Sequence, residues 1–295
     1  MCCHPELSRD TSVALSLKTV GGFSVREIAR AFLSDETAIA QRLVRAKRTI
    51  RERRLSLEMP TGAELNQRLG AVLEVVYFMF NEGYAAHQGE DLIRQDLCME
   101  ALRLGRLIAL SPIATPRVHA LVALMAFQAA RLPARVDHAG DLILLEQQDH
   151  GRWDRCLIAL GFHHFDRSIE GEDVSEFHVQ AAIAATHSRA SDGESIDWPV
   201  ILELYDQLLA MNPSPVVALN RAVAVARVHG PEAALRAIEP LALREYYLLL
   251  AVRGHLLLEL GLCERAASCF RSALECPCSA PERRFLQRRL EECRQ

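Results

Sequence analysis

Apolar residues recur at three- and four-residue steps along nearly the whole chain, the spacing that keeps one face of a helix against a core. No segment sustains the apolar–polar alternation of a half-buried strand. The pattern predicts helices at about 9–20, 25–32, 35–54, 64–80, 91–110, 115–131, 152–165, 174–190, 197–211, 216–228, 231–242, 245–260, 263–275 and 281–293. Turn-forming residues separate them: Gly21-Gly22, Pro60-Thr61-Gly62, Gln88-Gly89-Glu90, Ser111-Pro112, Ser191-Asp192-Gly193 and Asn212-Pro213-Ser214-Pro215. The expected fold class is all-α, an N-terminal helix-turn-helix followed by an array of paired helices.

The first three helices carry the most specific local signals. Ser24-Val25-Arg26-Glu27 has the form of a capping box, with Ser24 at the N-cap and Glu27 three residues on. A turn around Leu33-Ser34 follows, and Ser34 is the expected N-cap of the third helix, with Asp35 and Glu36 in its first turn. Ile39, Leu43, Ala46 and Ile50 then fall on one face, and Thr37, Gln41, Val44, Arg45 and Arg48 gather opposite. Gln and Arg make bidentate hydrogen bonds to base edges, and Val contacts a thymine methyl. Periodicity alone fits either a groove-reading helix or a solvated basic one.

Composition alters this picture only when it is divided. The 295 residues are 50% hydrophobic and 24% charged, which excludes a disordered or collagen-like chain. Lys and Arg total 34 against 38 Asp and Glu, a net charge of −4 that taken whole argues against nucleic acid. Residues 1–54, however, hold eleven basic and six acidic residues, a net of +5, which leaves −9 on the remainder. The run from Arg42 to Arg54 has seven basic residues and one acid, enough to neutralise several phosphates. Nine scattered cysteines do not form a disulfide framework. There is no secretory signal pattern and no apolar run of membrane-spanning length, so the expected location is the cytoplasm.

The wording of the basic head is more telling than its charge. The stretch Gly22-Phe23-Ser24-Val25-Arg26-Glu27-Ile28-Ala29-Arg30-Ala31-Phe32, followed by Ala40-Gln41-Arg42-Leu43-Val44-Arg45-Ala46-Lys47-Arg48-Thr49-Ile50-Arg51, resembles region 4 of bacterial sigma factors. Cys2-Cys3-His4-Pro5-Glu6-Leu7-Ser8 and Val13-Ala14-Leu15 look like the start of that region in one branch of extracytoplasmic-function sigma factors. That branch has a long C-terminal extension with tetratricopeptide-like repeats. Further matches lie at Asn81-Glu82-Gly83-Tyr84, Gln147-Gln148-Asp149, Trp153-Asp154, Pro213-Ser214-Pro215-Val216-Val217 and Asn220-Arg221-Ala222-Val223-Ala224.

The resemblance implies three parts: a region 4 DNA-binding domain over 1–58, a family-specific helical domain over 59–190 and a tetratricopeptide-like repeat domain over 191–295. It implies that Thr37, Ala40, Gln41, Val44 and Arg45 read promoter −35 bases. Arg42 and Arg48 would contact phosphates, with Ser24 and Arg26 at the start of the supporting helix, where exposed N–H groups favour anions. Ala40 is small where related sigma factors often carry a longer polar residue, which shifts readout there towards groove shape. The implied partners are promoter DNA, the β flap of core RNA polymerase, and a protein or peptide bound by the repeats. Sigma factors of this group begin with region 2; this chain starts at region 4, so it is expected to recognise a −35 element without opening a promoter by itself. No enzymatic activity, cofactor or membrane association is implied.

In the acidic remainder, residues 246–278 resemble one tetratricopeptide unit, with Gly254, Ala266, Phe270 and Ala273 at the positions where paired helices touch and Gly261 at the turn. A weaker copy spans about 216–243, and a plain array of helical hairpins fits the same residues. Gly83 is expected to be a left-handed C-cap with Tyr84 packed back over the last turn, the alternative being a polar pocket of Glu82, His87 and Glu90. Cys2-Cys3-His4 and Cys276-Pro277-Cys278 lack a four-ligand set at zinc spacing. His163-His164 point apart on a helix and need His178 or an acid from elsewhere to form a site. No metal site is expected, and no catalytic motif appears.

Overall fold

The structure, a computed structural model, describes residues 2–55, 62–84, 93–189, 196–243 and 246–294. Its helices are α1 (Arg9–Thr19), α2 (Val25–Ala31), α3 (Glu36–Glu52), α4 (Ala63–Tyr84), α5 (Gln95–Ala109), α6 (Pro116–Ala130), α7 (Arg155–Ser168), α8 (Glu176–Arg189), α9 (Trp198–Met211), α10 (Pro215–His229), α11 (Pro231–Ile238), α12 (Tyr247–Glu259), α13 (Cys263–Glu275) and α14 (Ala280–Glu292). Among the described residues the β pairing is confined to one bridge, Val136 with Leu142. The expected domain limits near 58 and 190 lie outside the described residues, as do His87, Glu90 and the breakers Gln88-Gly89-Glu90 and Ser191-Asp192-Gly193.

The head forms as its caps dictate. Ser24 accepts a hydrogen bond from the Glu27 amide at 3.1 Å, and Glu27 returns one to the Ser24 amide at 2.6 Å, completing the capping box. The cap of α3 is Asp35 and not Ser34, so the helix begins one residue later than expected. The Asp35 carboxylate accepts from the Ala38 amide at 2.7 Å and brings negative charge to the positive end of the helix. Ile28 and Ala29 of α2 and Ile39, Leu43 and Ala46 of α3 close over Val13, Ala14 and Leu17 of α1.

That core does not stop at the head. It continues through Leu69, Leu73, Val76 and Phe80 of α4 into α5, α6 and α8. Phe32, which ends α2, stacks on Phe78 of α4 with ring centroids 5.4 Å apart. Arg9 pairs with Glu74, and Arg94 lies 3.5 Å from Glu27. The acidic body therefore holds the head by the back of α1 and α2.

Helix α6 is apolar on every side, as a helix surrounded by others must be, and packs against α5, α7 and α8. Helix α4 runs on to Tyr84, which corrects the reading of Gly83: it is a helical residue and not a left-handed cap. A Cβ on Gly83 would stand 2.8 Å from the Cys98 amide nitrogen and 2.9 Å from the Arg94 carbonyl. Glycine is needed there because α5 starts against the end of α4. Tyr84 does pack back, stacking on Phe80 at 5.9 Å, and its hydroxyl and carbonyl accept from Arg131 and Arg135. Helix α11 ends at Ile238, four residues short of expectation, because Pro240 follows.

Beyond α8 the chain is a succession of hairpins with separate apolar clusters, one over α8–α12 and one over α12–α14. In the α12–α13 pair, Phe270 lies so close to Gly254 that a Cβ there would meet its ring at 2.8 Å, and Ala266 and Ala273 are fully buried. The segment between α6 and α7 has no helical period and folds as three short 3-10 turns. Asp141 from this segment binds both Arg284 and Arg288 of α14, and Glu146 binds Arg227 of α10. The array thus curves back on the middle of the molecule.

Candidate nucleic-acid interface

Helix α3 contacts α1 and α2, and its far side faces solvent. Thr37, Ala40, Gln41, Val44, Arg45 and Arg48 are all exposed, and Val44 keeps 67% of its accessible surface. Successive residues turn by about 100°, which places these six within one stripe that also takes in Arg51. An apolar methyl pair flanked by an amide and guanidinium groups suits the floor of a major groove. Arg48 is held by Glu52 at 2.6 Å, a solvent-exposed pair that opens readily.

The other expected contacts are placed differently. Arg42 is half-buried, lies over the Phe32 ring at 5.4 Å and reaches Asp10 at 3.6 Å. It joins α3 to α1 and α2 rather than the stripe. Ser24 and Arg26 are exposed at the start of α2, but the Ser24 hydroxyl is committed to the cap and Arg26 sits 4.0 Å from Glu36. The carboxylate of Glu27 on the Ser24 amide also lowers the appeal of that helix end for a phosphate.

A second concavity lies behind the head. A cavity of about 1070 Å³ is walled by the α2–α3 turn, α4, α6, α8, α9 and α10. Asn81, Glu82 and Asn220 border it, so two of the motifs noted in the sequence line one cavity although they are far apart in the chain. Glu82 is buried. His187, also on its wall, is buried with Nδ1 unbonded, and burial together with the nearby Arg131 and His150 charges lowers its pKa to about 4.

Sequence reasoning missed the partner of His164. Nδ1 of His164 and Nδ1 of His119 meet at 2.8 Å between α7 and α6, whereas His178 bonds Ser168 and Ser175. Burial and the neighbouring His119 push His164 down to about 4. Two adjoining nitrogens require one donor and one acceptor, so the accepting ring is neutral. Among the described residues no three His, Cys, Asp or Glu side chains converge on a metal position, and all nine cysteines are free thiols. Nor is any described helix long and apolar enough to cross a membrane.

Capped α2, exposed α3 and their shared core form a helix-turn-helix head, and the sigma-70 region 4 family matches residues 1–50. A family of unknown function, DUF6596, matches residues 68–169. Over 293 residues the chain is 40% identical to the uncharacterized protein R00370 of Rhizobium meliloti (strain 1021), covering 99% of this chain and 69% of that protein. The chain belongs to the family of that protein. No solved structure matches it.

Proposed function

We propose that the protein acts in transcription initiation as a sigma-factor-like regulator, with α3 recognising the −35 element of a promoter and the helical extension regulating that activity or binding partners. The observation that carries the reading is the stripe of Thr37, Gln41, Val44 and Arg45, exposed on a helix whose opposite face is buried in a region 4 fold. In this reading Ala40 lies against the groove, Arg48 and the flanking arginines neutralise phosphates, and the β flap of RNA polymerase is the second partner. The resemblance to extracytoplasmic-function sigma factors with a tetratricopeptide-like extension is supported by the hairpin packing of Gly254 against Phe270. The binding head performs no chemistry of its own.

The test is selection of duplexes from a random pool by the full chain, followed by affinity measurements across a salt series. The full chain is used because the head shares its core with α4. Affinity should fall steeply with salt, with a slope near 0.9 per phosphate neutralised, and Gln41→Ala should relax preference at one base position. If no duplex binds in a salt-dependent way, the proposal fails. The large cavity favours a second reading, an interaction scaffold in which the body does the binding; duplex-independent capture of a partner would support it.

A further inference from the structure

Two arginines, Arg131 and Arg135, stand one turn apart where α6 ends, and among the described residues neither meets a carboxylate. Both bind one tyrosine. Arg131 donates to the Tyr84 hydroxyl and Arg135 to the Tyr84 carbonyl, with the Arg135 guanidinium 3.6 Å from the ring centre. Burial would raise the Tyr84 phenol, yet the two guanidinium charges bring its pKa down. Glu282 reaches Arg135 with its charge alone, because its oxygens are bonded by Ser279 and Tyr247. The negative end of α6 offers partial charge, well short of a counter-ion. Buried charge of one sign is costly until an opposite charge joins it.

Arg131 also lines the cavity behind the head, and the polar atoms beside it on that wall are unused. Arg131 Nε, Gln128 Oε1 and His187 Nδ1 are all buried without a partner. Gln128 lies one turn before Arg131, and its amide can turn to present NH2. Tyr205 of α9 lies within reach of the Arg131 charge. One turn back along each helix the wall becomes apolar: Leu124 precedes Gln128 by four residues, and Ile183 precedes His187 by four. The acids of the cavity are engaged elsewhere. Glu74 holds Arg9, Glu82 has a partner of its own, and Glu176 accepts from Asn212. Glu176 also stands about 16 Å along α8 from His187.

This wall therefore joins an uncompensated positive end to an apolar floor. A neutral ligand leaves the arginine charge unmet, and inorganic phosphate leaves the floor bare. A carboxylate carried on an apolar body uses both, since its plane matches the guanidinium edge. We propose that the wall binds a small organic carboxylate with an aromatic or aliphatic body, the carboxylate held by Arg131 and His187 and the body laid on Leu124 and Ile183. The site involves neither DNA nor a second protein and stands independently of the promoter reading.

The two tryptophans of the chain bracket this site and report on it. The Trp153 ring lies 5.9 Å from the Arg131 guanidinium, and Trp198 meets His187 edge-on at 5.6 Å. Their indole N–H resonances are followed in the nitrogen-15-labelled full chain during titration with 4-phenylbutyrate, indole-3-acetate and octanoate, with 4-phenylbutyramide and inorganic phosphate as comparisons. At least one acid should shift both resonances saturably. Arg131→Gln should weaken it at least about tenfold, the value of a hydrogen bond to a charged group. Arg117→Gln, about 21 Å away along α6, should leave it unchanged. No saturable shift with any of the three acids, or equal affinity for 4-phenylbutyrate and its amide, overturns the site. Tighter binding of phosphate than of every acid overturns the carboxylate class. If Arg131→Gln fails to fold, the comparison of acid with amide on the parent chain decides alone.

Discussion

Helices α3 and α6 are of similar length and opposite design. Of the fifteen residues of α6, twelve are buried, and the helix is defined by what surrounds it. Helix α3, with seventeen residues, buries Ile39, Leu43 and Ala46 and leaves its basic stripe in water. One helix stores stability and the other spends none of its outer face on it. Recognition and folding are therefore separable here by substitution, even though head and body share one apolar cluster.

The strongest blow to the body is Phe127→Ala. Its ring, 1% exposed, lies against Gly161 and meets Phe162 at 4.9 Å. Truncation should cost about 3–5 kcal/mol, read as a lowered urea midpoint. Next comes acid. Folded His164 and His187 titrate near 4, below the value of about 6.5 for an unfolded histidine, so the unfolded state binds more protons as pH falls. Stability should decline below about pH 6.5 and level off near 4, by roughly 2 kcal/mol per group at pH 5. Both residues lie in the body, so a urea midpoint that is constant from pH 7.5 to 5 would contradict their buried, neutral state.

Substitutions on α3 should do the reverse. Arg45→Ala is expected to weaken binding to a selected duplex by about 1–3 kcal/mol while the urea midpoint stays put. A matching loss of stability would mean that the stripe is structural after all. The smallest effect expected is Ser24→Ala, about 1 kcal/mol from loss of the α2 cap. Hydrogen exchange should place that loss in the head, beginning with the amides of Glu27 and its neighbours.

What the sequence disclosed was local. The capping box at Ser24, the buried face of α3 and the packing partners Gly254 and Phe270 all follow from spacings within a helix or one hairpin. Ser34 and Asp35 are both good caps, and only the turn geometry at Leu33 chooses between them. Gly83 has a tertiary reason, the approach of α5, that no local pattern carries. His119 and His164 lie 45 residues apart, and no period links them. The cavity draws on helices far apart in the chain, from the α2–α3 turn to α10, so its lining is legible in the sequence only as scattered motifs. On α3 the exposed stripe follows from the helical period, whereas the placement of Arg42 over Phe32 depends on α2 and has no local signal.

The grip of Asp141 on Arg284 and Arg288 has a mechanical meaning for the array. A row of stacked hairpins ordinarily frays from its free end, each unit relying on its neighbour alone. Here α14 is moored to a segment 143 residues earlier in the chain, and the hydrogen bond from Arg284 lowers the pKa of Asp141. The final hairpins are consequently tied at two places, to their neighbours in the array and to the middle of the molecule.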